Sequence, residues 1–256
     1  MSLRSPVVLL SLVVVVACGG ASESPAPPPA APSTPSAAKP AAATAKGTAS
    51  ISGKVTFEGT APAAEKIKVS ADPKCQAQHP QGLEKQPVRV TNGALADAFV
   101  WIKGGVTGTQ AAPAEPVVLD QQGCTYHPHI VGVQAGQPIK IKNSDDTLHN
   151  IHPKPTINTE FNLGQARKGM ETNKTFDKQE IMIPVGCDVH PWMRSYISVV
   201  SHPFFAVSKD DGSFEIKGLP AGEYEVEVVH EKLKSLTQKI TVKDGEAGKL
   251  DFAFKG

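Results

Sequence analysis

Aromatic residues make up only 5% of the 256-residue chain, and the formal net charge is +1. A charge this close to zero leaves no electrostatic footprint for nucleic acid, so no such partner is expected. The apolar run Val7 to Val16 is too short to span a bilayer as a helix. Cysteine is scarce: Cys18, Cys75, Cys124 and Cys187 are all there is. No Cys-x2-Cys-His occurs, which excludes c-type haem attachment, and the paired cysteine blocks of zinc ribbons are absent. Neither Gly-x-Ser-x-Gly nor His-Glu-x-x-His is present, so a hydrolase lacks its residues and the chain is not expected to be an enzyme. No long 3.6-residue periodicity appears either.

What is present is short alternation. Ile139 to Lys142, Phe214 to Lys217 and Tyr224 to Val228 each alternate apolar with charged residues, and Gly, Pro and Asp-Gly punctuate the runs. This is the pattern of an all-β sandwich protein. Upstream, Ala21 to Thr48 is almost entirely Ala, Pro, Ser, Thr and Lys. Such a segment cannot bury enough apolar surface to offset its ordering entropy, and reads as a disordered tether. Arg4 followed by the short apolar run has the layout of a signal peptide. The run ends in Val15-Val16-Ala17-Cys18, which resembles the lipobox of bacterial lipoproteins. That resemblance implies cleavage before Cys18, a lipid on Cys18, and an exported protein anchored to a membrane. The expected organisation is therefore a signal segment 1–17, a tether 18–48, a first folded region 49–202 and a second 203–256.

The chemistry concentrates in Cys187-Asp188-Val189-His190-Pro191-Trp192-Met193. A thiolate, an imidazole and a thioether on one loop are soft or borderline ligands that suit copper. Two His and one Cys with a weak axial Met form the ligand set of electron-transfer copper sites, so one more histidine must come from elsewhere. Asn143 to Asn150 supplies His149, just past the alternating strand Ile139 to Lys142. Zinc would normally call for more thiolates or carboxylates and has little use for Met.

Together these segments resemble the cupredoxins, a family of Greek-key copper sandwiches. The Cys-x2-His-Pro-aromatic-Met spacing is most similar to the amicyanin loop, and His149-Asn150 matches the upstream pair of plastocyanins and amicyanins. The resemblance covers roughly residues 85 to 202. It implies one copper ion held by His149, Cys187, His190 and Met193, with Asn150 fixing the ligand loop. It further implies an electron-exit face formed by His190, Pro191 and Trp192, with His149 more deeply buried, that docks redox protein partners. The sequence departs from many cupredoxins in having Pro184-Val185-Gly186 before the cysteine instead of an aromatic residue. Asp188 and Val189 also replace the proline usual before the histidine.

With Cys18 lipidated and Cys187 on copper, Cys75 and Cys124 remain, and in an oxidising compartment they are expected to pair. His152 is expected at the surface, although it could replace or supplement His149. His127 and His129 are expected to be structural or to support the site, with a second metal as the alternative. The run from Phe204 to His230 resembles carboxypeptidase regulatory-like (transthyretin-like) domains, which share the carbohydrate-binding-like sandwich fold. Ile51 to Gly59 resembles the first strand of the same family. Residues 51–103 either pair with that C-terminal module, making the copper module an insertion, or simply extend the copper module. The functional expectation is an exported one-electron carrier. The alternatives are copper delivery without redox turnover, and a carbohydrate-binding or scaffold surface protein.

Overall fold

A computed structural model describes residues 47–256. The signal segment, Cys18 and the tether up to residue 46 lie outside the described residues. Among the described residues the fold is all-β, with a single short helix, Pro73–Gln78.

Two β-sandwiches are present, and one is inserted into the other. The inner one pairs a four-stranded with a five-stranded sheet. The first sheet carries Glu171–Lys174, Ile139–Asn143, Val117–Gln122 and Thr125–His127, in that order. The second runs Leu163–Gln165, His149–Pro153, Glu180–Gly186, Arg194–Val200 and Ile130–Gln134. The alternation read in the sequence is realised here: Ile139 and Ile141 are buried while Lys140 and Lys142 point outward. The inner core joins Leu119, Val131, Val133, Ile139, Ile141, Ile151, Ile183, Val185, Ile197 and Val199.

The outer sandwich corrects the expected boundary at 202/203. Strand Ala49–Glu58 does not extend the inner sandwich. It pairs antiparallel with Ser213–Leu219 and parallel with Ala247–Lys249 and Phe252–Lys255. Likewise Phe99–Gly104 pairs with Phe205–Val207 and with Gly222–Val229. The physical reason is burial. Ile51, Val55 and Phe57 on the first strand and Val100 and Ile102 on the later one share a core with Phe214, Ile216, Val226, Val228 and Phe252. Asp211-Gly212 forms the expected turn, with Gly212 at φ 74°, a left-handed position that glycine takes without a Cβ penalty.

The two sandwiches meet through Phe99, Trp101, Ile130 and Val200, joined by the half-buried Ile181, Met182, Tyr196 and Phe205. Packing there is tight enough to require glycine: a Cβ on Gly132 would stand 2.4 Å from the Phe205 ring and 2.9 Å from that of Phe99.

Residues 59–89 link two strands of the outer sandwich but reach over the inner one. They contain the hairpin Glu65–Ile67/Leu83–Lys85 and, between its arms, the helix Pro73–Gln78. Asp72 caps that helix by accepting from the Lys74 and Cys75 amides, and Pro73 occupies the first turn. Cys75 is bonded to Cys124 of the inner sandwich, S–S 2.04 Å.

A buried carboxylate holds the loop after His149–Pro153. Glu180 accepts from the Thr156, Ile157 and Asn158 amides and from the Thr156 and Asn158 side chains. Burial pushes its acid up, but these donors outweigh burial and bring it down to about 2. A folded-state value below the ordinary 4.5 gives stability that is full above that range and lost as pH falls toward about 2. Glu180→Gln should therefore cost about 3 kcal/mol at neutral pH. The gap to wild type should narrow in urea melts repeated at pH about 3.

Candidate metal centre

The ligand loop is a connection between antiparallel neighbours. Strand Glu180–Gly186 ends immediately before Cys187, strand Arg194–Val200 begins immediately after Met193, and Gly186 pairs with Arg194. His149 opens the adjacent strand His149–Pro153. The topology thus brings two segments, far apart in sequence, to one end of the inner sandwich. The preceding loop is held by Asn143, which donates to the Thr147 and Gln165 carbonyls and accepts from the Asp145 amide.

His149, Cys187 and His190 are all buried, and one ligand atom from each lies within 4.8 Å of the others. The two Nδ1 atoms are 2.9 Å apart, and Cys187 Sγ is 3.9 Å from His190 Nδ1. Met193 is buried in the same core cluster as Cys187, and its amide donates to the His190 carbonyl. Asn150 lies against the ligand loop. Its Oδ1 accepts from the Asp188 and Val189 amides and sits 3.2 Å from Cys187 Sγ, while its Nδ2 donates to Asn162 and Asp188. The His190 amide points at Cys187 Sγ, 3.3 Å away.

The outer edges of both imidazoles are occupied by carboxylates. His149 Nε2 is 2.9 Å from Asp145 Oδ2, and His190 Nε2 is 3.0 Å from Asp72 Oδ2. An ionised carboxylate only accepts, so each Nε2 carries its ring's proton and each Nδ1 is left as a lone pair. Two buried lone pairs facing each other at 2.9 Å repel unless a cation lies against them. In the metal-free protein a proton serves. Burial pushes His149 down, but Asp145 and Cys187 outweigh it and raise it to about 8. Burial likewise pushes the Cys187 thiol up, yet His149, His190 and backbone donors bring it down to about 6. Two imidazole nitrogens, a ready thiolate and a buried thioether fit a soft, low-coordinate metal ion.

One expectation fails. His190 does not present an edge to solvent: it is 2% exposed against 0% for His149. The segment 59–89 covers it, with Asp72 on its Nε2 and Cys75 Sγ 3.8 Å away. Pro191 remains exposed. Trp192 is half-buried, donates its indole N–H to the Cys124 carbonyl and has its ring 5.0 Å from that of His190.

The remaining histidines stand apart from the cluster. His152 engages Asp188 and Glu160. His127 bonds Thr125, and His129 bonds Glu231 and the Arg194 carbonyl. Sequence reasoning missed Asp145 and Asp72. Asp145 lies four residues before His149, a spacing readable only once the loop's turn is known. Asp72-Pro73 is legible as a helix start, but nothing local signals that it reaches His190.

No family profile matches the chain, and no curated protein does either. Solved structures are similar in part. A copper-containing nitrite reductase from Thermus scotoductus matches at 19% identity over 37% of this chain, TM-score 0.30. The chain spans only 24% of that enzyme's length. A purple cupredoxin from Nitrosopumilus maritimus matches at 18% identity, over 33% of this chain and 99% of its own, TM-score 0.29. The Cu(I) form of an amicyanin variant matches at 21% identity, over 41% and 99%, TM-score 0.31.

Proposed function

We propose that the chain binds one copper ion through His149 Nδ1, Cys187 Sγ and His190 Nδ1, with Met193 as a weak fourth ligand, and carries one electron at a time. The observation that carries this reading is the convergence of two buried imidazole Nδ1 atoms, 2.9 Å apart, with the buried Cys187 sulfur, 3.9 Å from the Nδ1 of His190. Copper would supply the one-electron couple; the chain's part is to hold three donors rigidly in a dry core. Carboxylates fix both rings, and Asn150 fixes the loop amides that flank the sulfur. Four protein ligands would leave no open position for a substrate, which favours electron transfer over catalysis on bound oxygen.

The Cys75–Cys124 disulfide supports an oxidising compartment, in keeping with export and a lipid on Cys18 that tethers the protein to a membrane. Redox proteins are the partners this reading implies. The covering of His190 favours a second reading, copper carriage without redox turnover, because the ring edge that would meet a partner is closed. Anaerobic titration with Cu(I) followed by oxidation separates the two. A stable coloured Cu(II) form supports the carrier, and tight Cu(I) binding with no stable Cu(II) form supports carriage alone. For the carrier, Met193→Leu should retain copper and raise the reduction potential, read by voltammetry, because the weak axial sulfur is lost.

A further inference from the structure

We infer that Asp72, on the segment that links two strands of the outer sandwich and is cross-linked to the inner one by the Cys75–Cys124 disulfide, is the positioning residue for His190. It fixes that ring with its proton on Nε2 and its Nδ1 turned toward His149 and Cys187. The consequence for metal binding rests on the copper reading above; the tautomer does not.

The geometry around the two histidines is matched. Asp145 accepts from the Gly123 and Cys124 amides at 2.9 and 2.7 Å and from His149 Nε2. Asp72 accepts from the Lys74 and Cys75 amides at 2.7 and 3.0 Å, from Thr147 Oγ1 at 2.8 Å, and from His190 Nε2. Each carboxylate is thus aimed at a ring by the backbone of one disulfide cysteine, and the bond between Cys75 and Cys124 joins the two holders. The arms differ in origin. Asp145 and Cys124 belong to the inner sandwich, like His149 itself. Asp72 and Cys75 arrive on the segment 59–89, which starts and ends in the outer sandwich. The disulfide, the Lys74–Asp146 ion pair, the contact of Gln78 with Asp145, the bond between His79 and the Gly123 carbonyl, and the clustering of Val69, Ile67 and Leu83 with Cys124 and Trp192 tie that segment down over His190. Lys74 and Asp146 are largely exposed, and exposed pairs contribute little. The disulfide is the cross-link among these ties, and it lies next to the helix that Asp72 caps. The site of the inner sandwich is completed by a residue of the segment that links two strands of the outer one.

Asp72 has two jobs, and one substitution separates them. Asn caps a helix about as well as Asp, so Asp72→Asn keeps the amide acceptors for Lys74 and Cys75. It replaces the oxygen facing His190 with an NH2 group, which cannot accept from an Nε2 proton. In the copper-free wild type at alkaline pH, long-range 1H–15N NMR should show His190 as the Nε2–H tautomer with a slowly exchanging proton. Asp72→Asn should mix the tautomers and expose that proton while the thermal midpoint stays near wild type. Copper affinity, measured by chelator competition, should fall about 10- to 100-fold. The double variant Cys75→Ala/Cys124→Ala should shift tautomer and affinity in the same direction. A wild-type His190 with its proton on Nδ1, or an Asp72→Asn protein with unchanged tautomer and affinity, would overturn the assignment. A wild type that shows the Nε2–H tautomer yet takes up no copper would support the positioning role and overturn the copper reading instead.

Discussion

Cys187→Ser is expected to fold and to lose completely the intense visible absorption of the copper-loaded protein. The thiolate is the one ligand whose charge transfer to Cu(II) gives such a band, and the only free thiol among the described residues is Cys187. It is also the softest donor in the cluster, so retention of Cu(I) against a chelator should be lost with it. Folding should survive, because the serine replaces a small buried group whose neighbours, the His190 amide and Asn150 Oδ1, can both bond a hydroxyl. An unchanged blue spectrum in this variant would mean that copper sits elsewhere.

Phe99→Ala is expected to lower stability by about 3–5 kcal/mol, read from urea unfolding followed by tryptophan emission. The ring is fully buried and lies 5.6 Å from that of Phe205, where the two sandwiches meet. Emptying this position removes contacts to Ile130 and Val200 on the inner sandwich and to Trp101 on the outer one. Neighbours cannot readily collapse into the space, because both flanking strands are held in register within their sheets. A cost below about 1 kcal/mol would show that the sandwiches are not braced through this ring.

Much of this was legible from local pattern. The alternation at Ile139 to Lys142 and at Tyr224 to Val228 specified strands and their buried faces, and Asp211-Gly212 specified a turn. The spacing of Cys187, His190 and Met193, with His149 upstream, named a cluster whose His149, Cys187 and His190 donors the fold does bring together. What was not legible depends on long-range pairing. Ile51 to Phe57 alternates as well for an extension of the inner sandwich as for a strand of the outer one; only the burial of Phe214, Ile216 and Phe252 against it decides. The covering of His190 was hidden for the same reason. Asp72-Pro73 announces a helix start, but that helix is placed over the ligand loop by a disulfide spanning 49 residues and by the clustering of Val69, Ile67 and Leu83 with Cys124 and Trp192. The exposed histidine edge implied by family likeness was therefore the expectation most open to error, since it concerned what lies outside the ligand loop.

The most direct test is metal analysis together with the visible spectrum of the purified protein loaded with copper. One copper per chain, with an intense thiolate-to-Cu(II) band that bleaches on reduction and returns on oxidation, is the predicted result. A protein that takes up no stoichiometric copper, or holds Cu(II) without that band, would contradict a site built from His149, Cys187 and His190.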